Sequence, residues 1–254
     1  MLSHEIAAPV KRRFRFLKWL GVLTLLVVLP PLLWFVNQVT IAYRDIQGGR
    51  GVSVKDRRFN MSVSKAMANT QVSRAELTRL APTTLAPELG SKTARLTVVE
   101  FIDYQCPFCQ RSAAPLREVM AAMGDRVRLL VRDFPILELH PTAKDSALAA
   151  NCVLEQGQTS YWRFHDLIFA DQAKQAAEDL RAKAALSGVK LADYDSCVAG
   201  RRYDNKIDQD YALGLQVGVR GTPTFFVNGV KFEGALDAQA LIRILNAFLD
   251  RLPK

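Results

Sequence analysis

Metal-binding side chains are scarce in this sequence. Its 254 residues include four cysteines and three histidines. Apart from Cys106 and Cys109, no two of them stand close together. Cys152 and Cys197 are 45 residues apart, and neither His140 nor His165 forms a short pair with them. A structural zinc site takes four ligands, usually as two short-spaced pairs, so zinc is a poor use for the Cys106-Pro-Phe-Cys109 motif and no metal is expected. His140 and His165 do not flank that motif and read as structural or surface residues.

One-sided charge is also missing where nucleic-acid binding would need it. The net charge is +9, but residues 1–90 hold 13 Lys and Arg against 5 Asp and Glu, whereas residues 91–254 hold 21 against 20. A nucleic-acid binder carries its basic stripe on the folded domain. Here the folded part is nearly neutral, and no nucleic-acid partner is expected.

A third absence is of any charge between Trp19 and Val36. With its flanks the run reaches the ~20 residues needed to cross a bilayer as a helix. Lys11, Arg12, Arg13, Arg15 and Lys18 precede it, which keeps that side cytoplasmic and sends the rest of the chain outside. Trp19 and Trp34 sit near the two ends, where indoles prefer the interface. A cleaved signal peptide is the alternative, but its apolar region is usually about 7–15 residues and ends at a small-residue site. The only tolerable site here is Thr40-Ile41-Ala42. The expected organisation is a basic cytoplasmic segment at 1–18, an uncleaved signal-anchor at 19–37 and an extracytoplasmic linker at 38–90. That linker contains Gly48-Gly49-Arg50-Gly51, no sustained apolar period, and one short helix signalled by the capping box Ser73 to Glu76.

From about residue 94 the pattern is that of a packed domain. RLTVVEFI (95–102) reads as a buried strand. Leu116, Val119, Met120 and Met123 give a helical stripe that ends near Gly124. Pro107 suits the first turn of that helix, and Pro115 should kink it. RVRLLVR (126–132) is a second strand, completing a βαβ unit. Residues 139–217 read as an inserted block of short helices, with Tyr161, Trp162, Phe164 and Phe169 as its core. TFFV, Asn228-Gly229 and VKFEG then form a hairpin with a type I′ turn. Asp237 caps a last helix. The halves βαβ and ββα make a four-stranded α/β sheet flanked by helices.

A CxxC that ends a strand and opens a helix is placed for redox chemistry. The helix N-terminus favours the thiolate, which is the attacking species. Cys106 is therefore the expected nucleophile, and Cys109, one turn on and more buried, the resolving thiol. Glu100, inside VVEFI, is costly to bury without a partner or a task. Cys152 and Cys197 both fall in the helical block. In an oxidising compartment they read as a disulfide stapling two helices, with two separate buried thiols as the alternative.

Together, the strand–CPFC–helix and the late Gly221-Thr222-Pro223-Thr224 segment resemble the DsbA-type disulfide oxidoreductases of the thioredoxin-like fold, over about residues 90–252. The resemblance implies a cis Pro223 facing the CPFC pair. Thr222 would offer its backbone to an extended substrate peptide, and Pro107 and Phe108 would share that substrate-facing surface. It implies that Glu100 relays protons to Cys109 and that the helical block corresponds to the DsbA insertion. It also implies that reduced secreted proteins are the substrates and that a membrane quinone-linked protein restores the disulfide. No cofactor beyond the Cys106–Cys109 disulfide is expected.

Two departures bear on direction. Phe108 stands where the best-known pattern has a histidine, and Thr222 replaces an apolar residue before the proline. Phenylalanine offers the Cys106 thiolate neither a hydrogen bond nor positive charge. A Cys106 pKa nearer the ~7 of thioredoxin than the ~3.5 of DsbA is therefore expected, and with it a weaker oxidant. A disulfide reductase or isomerase of the same fold is the alternative activity. A non-catalytic thioredoxin-like binding module on a membrane tether is the alternative of a different class.

Overall fold

The computed structural model of the chain describes residues 86–252, Leu80 and several positions between 29 and 40. The chain divides into two compact units, Met1–Phe59 and Asn60–Lys254. In the first, the described positions are helical, and the Thr40 hydroxyl donates to the Val36 carbonyl at 2.8 Å. The expected span at 19–37 and the expected helix from Ser73 lie largely outside the described residues. Among the described residues no helix is long and apolar enough to cross a membrane.

Among the described residues, the second unit holds a five-stranded sheet in the order β1-β3-β2-β4-β5. Its strands are β1 (Glu88–Gly90), β2 (Leu96–Ile102), β3 (Val127–Asp133), β4 (Thr224–Val227) and β5 (Val230–Glu233). β2 and β3 run parallel and are joined by helix α1 (Pro107–Met123). β4 lies antiparallel to β2 and continues through Asn228 (φ 45°) and Gly229 (φ 87°) into β5. Those positive φ values are what a type I′ turn requires and what Asn-Gly tolerates. The four expected strands are present. The fifth, β1, pairs antiparallel with β3 and lies within the stretch that the sequence reads as the end of the linker. Three residues, ELG, are too short to show a period.

Between β3 and β4 lie α2 (Ala143–Leu154), α3 (Gln158–Ala170), α4 (Ala177–Leu186), α5 (Leu191–Ala199) and α6 (Asp204–Gln216); α7 (Ala238–Leu249) closes the fold. Tyr161, Trp162, Phe164 and Phe169 are buried core of this block. α1 runs through Pro115 as one helix.

Strand alternation divides β2 between two faces. Val99 and Phe101 join Leu80, Leu130, Phe134, Val217, Val219 and Phe226 in one apolar cluster. α6 approaches that face closely at Gly214, where a Cβ would lie 2.5 Å from the Phe134 ring. Val98, Glu100 and Ile102 point to the opposite face. The strand pairing sets Glu100 between Val131 and Phe225, inside the sheet.

Candidate active site

β2 ends at Ile102, and four residues carry the chain to the start of α1. Asp103 organises that loop. One of its carboxylate oxygens accepts the Gln105 N–H at 2.7 Å; the other accepts the Ile136 N–H at 2.8 Å and lies 2.8 Å from His140 Nδ1. Its backbone carbonyl accepts the Cys106 N–H at 3.1 Å. Cys106 is thereby set as the N-cap residue of α1, with Pro107 in the first turn. The cost of an N–H-less residue is least at that position.

Cys106 and Cys109 are both free thiols and both buried, at 5% and 1% exposure. The Thr222–Pro223 bond is cis, and the Thr222 carbonyl lies 3.2 Å from Cys106 Sγ. The two sequence motifs, 116 residues apart, thus meet at one sulfur. Phe108 is half exposed, and the Arg111 guanidinium lies 4.4 Å from its ring centroid.

The environments of the two sulfurs differ sharply. The Cys109 side chain hydrogen-bonds Cys106 and, against the cost of burial, pulls the Cys106 pKa down to about 5; Thr222 and the backbone at Cys109 and Phe108 add to the effect. Burial, followed by that same hydrogen bond and the charges of Cys106 and Glu100, drives Cys109 well above the usual thiol range. Glu100 is fully buried, and desolvation alone raises its pKa to about 8. The value for Cys106 is lower than the ~7 expected from the lack of a histidine in the dipeptide. The second thiol and the helix N-terminus supply the hydrogen bonds that Phe108 cannot.

Cys152 and Cys197 are joined by a disulfide with a Cα–Cα distance of 5.7 Å, tying α2 to α5. Of the histidines, His165 is buried among Tyr104, Tyr161, Trp162 and Phe169, and burial lowers its pKa. Sequence reasoning missed Gln172 and Gln175, whose side-chain amides donate to carbonyls of the active-site loop. No local pattern marks them, because their partners lie 66 to 71 residues away. Among the described residues no group of three or more His, Cys, Asp or Glu could hold a metal ion.

Residues 81–247 match the thioredoxin family model. Among solved structures, a thioredoxin-like oxidoreductase from Silicibacter pomeroyi is 28% identical and superposes with a TM-score of 0.61, covering 71% of this chain and all of that one. The thiol-disulfide exchange protein alpha-DsbA2 from Wolbachia pipientis shares the fold at 18% identity and a TM-score of 0.61, covering 78% of this chain and all of that one. Among curated proteins, the Na(+)/H(+) antiporter NhaA 3 of Salinispora tropica is 35% identical over 160 residues, which is 63% of this chain and 24% of that protein. The chain thus spans about a quarter of the length of that relative, and the transport in its name is that protein's. Since the family match extends over well more than half of the sequence, the chain belongs to the thioredoxin family.

Proposed function

We propose that the protein oxidises reduced secreted chains at the outer face of a membrane to which its N-terminal segment anchors it. The observation that carries this reading is the contrast between the two sulfurs: Cys106 is held as a thiolate at neutral pH, with a pKa near 5, while Cys109 is held protonated. A stabilised Cys106 thiolate favours the reduced form, and a protein whose reduced form is stabilised is an oxidant.

In the oxidised state a substrate thiolate attacks Cys106 Sγ. A substrate–Cys106 bond forms, the Cys106–Cys109 bond breaks, and Cys109 leaves as a thiolate. Cys109 then takes a proton from Glu100, whose raised pKa keeps much of it protonated at neutral pH. A second substrate thiolate attacks the substrate's own sulfur and expels Cys106 as a stable thiolate. Two electrons pass from the substrate dithiol to the Cys106–Cys109 pair. Thr222 and Pro223 hold the incoming peptide through the backbone, with Pro107 and Phe108 beside it. A membrane quinone-linked protein reoxidises the pair.

Three features support the location. The charge-free run from Trp19 follows a basic cluster, the described part of that run is helical with Leu33, Trp34 and Val36 more than half exposed, and the Cys152–Cys197 disulfide suits an oxidising compartment.

The test is refolding of a reduced, disulfide-containing model protein by the oxidised domain. One equivalent should generate disulfides stoichiometrically, and a Cys106→Ser protein should generate none. Efficient reduction of insulin with no oxidation of the model protein would assign the reductase role instead.

A further inference from the structure

The helical insertion reaches the active-site loop through the α3–α4 connection, residues 171–176. The Gln172 side-chain amide donates one N–H to the Cys106 carbonyl at 2.9 Å and the other to the Tyr104 carbonyl at 3.0 Å. The Gln175 amide donates to the same Tyr104 carbonyl at 2.9 Å and to the Gln172 carbonyl at 2.8 Å. An amide has two N–H donors, so both are engaged in each side chain. The connection is itself fixed from behind. The Ser146 hydroxyl on α2 donates to Gln175 Oε1 at 2.6 Å, and the Lys183 ammonium on α4 donates to the Asp171 and Lys174 carbonyls. Gln175 and Ser146 are buried, at 6% and 0% exposure.

We infer that Gln172 and Gln175 are positioning residues which stabilise the reduced dithiol over the disulfide, so that the insertion sets the oxidising strength of the Cys106–Cys109 pair. This rests on the oxidoreductase reading above. The Cys106 carbonyl also accepts the Gln110 N–H that opens α1, at 3.1 Å. By gripping the carbonyls on both sides of Gln105, the two amides fix the backbone from which Sγ reaches the Cys109 thiol. In the reduced state that backbone alone keeps the thiolate in its hydrogen bonds. In the oxidised state the covalent bond to Cys109 holds the sulfur, whatever the loop does. Loosening the grip therefore raises the free energy of the reduced form more than that of the oxidised form.

The test uses Gln172→Met and Gln175→Met, which keep side-chain length but remove the donors. Three quantities are read against wild type: the Cys106 pKa from thiolate absorbance, the equilibrium constant with glutathione, and thermal stability in each redox state. The expected results are a Cys106 pKa raised by about half to one unit and an equilibrium shifted about three- to tenfold toward the disulfide. The reduced form should lose more stability than the oxidised form. Equal loss in both forms, with pKa and equilibrium constant unchanged within twofold, would make the glutamines merely structural and overturn the inference. If the buried Gln175 variant does not fold, half-buried Gln172 carries the test alone. Failure of the wild type itself to equilibrate with glutathione through Cys106 and Cys109 would instead overturn the oxidoreductase reading beneath it.

Discussion

The molecule holds two pairs of buried cysteines, and the environment treats them in opposite ways. Cys152 and Cys197 lie on two helices of the insertion, 1% and 0% exposed, and are bonded to each other. Cys106 and Cys109 are almost as buried, yet Cys106 has the second thiol, the Thr222 side chain and the backbone at the start of α1 around it, and Glu100 is close enough for its charge to act on Cys109. Burial alone raises a thiol pKa. What separates a reactive pair from a structural one is therefore the set of polar groups brought to one sulfur.

Removing the reactive sulfur should have the largest effect. Cys106→Ser is expected to lower disulfide exchange by more than about a thousandfold, whereas replacing both Cys152 and Cys197 by serine should leave it within a few-fold. The cost of that double replacement appears in stability. Closing a loop with a sequence separation of 45 stabilises a fold by about 4 kcal/mol in the chain-entropy model, a loss that denaturant unfolding would register. If the double variant lost exchange as completely as Cys106→Ser while still folded, the division of labour would be wrong.

Next in size is Glu100. In the folded protein it keeps its proton up to about pH 8, while its usual value is 4.5. Between those values the folded state binds more protons than the unfolded state, so this group's contribution to stability falls as pH rises and is constant above the window. Glu100→Gln should therefore match the wild type near pH 5 and exceed it at pH 8.5 by on the order of 2–4 kcal/mol, while slowing exchange at Cys109. Thermal unfolding of the reduced proteins at the two pH values checks this; a constant difference would show that Glu100 is not held protonated.

Alkylation of the reduced protein should report the Cys106 thiolate directly, with a rate that levels off above pH 6 and halves near pH 5. Smallest of all is the salt effect. The groups that lower the Cys106 pKa are hydrogen-bond partners rather than a cationic neighbour. Half-molar salt, which screens charges beyond a few ångströms, should move the midpoint by less than about 0.3 unit. A larger shift would implicate a charge such as Arg111, which stacks on Phe108 nearby.

How much of this was legible in the sequence depended on distance along the chain. The strand–CPFC–helix signal, the Asn228-Gly229 turn, the Asp237 cap and the inserted helices are local patterns, and all appear where the residues place them. Glu100 could be singled out because a carboxylate within an apolar strand conflicts with its surroundings. The strand β1 could not, since three residues carry no period. Gln172 and Gln175 sit in a polar loop where glutamine is unremarkable, and only the fold brings them to the carbonyls of Tyr104 and Cys106. The acidity of Cys106 exceeds what the motif alone implies for a related reason. Phe108 is visible in the motif, but the weight of the Cys109 hydrogen bond depends on how deeply the second thiol is buried.

The most direct test of the contrast between the two pairs is a redox titration with pair-by-pair readout. The protein is equilibrated across a series of glutathione ratios, alkylated, and mapped by peptide mass. Cys106 and Cys109 should take up label together under mildly reducing conditions, while Cys152 and Cys197 stay protected until strong reductant is present or the fold is lost. Labelling of Cys152 and Cys197 at the same ratio as Cys106 and Cys109, or before them, would contradict the assignment.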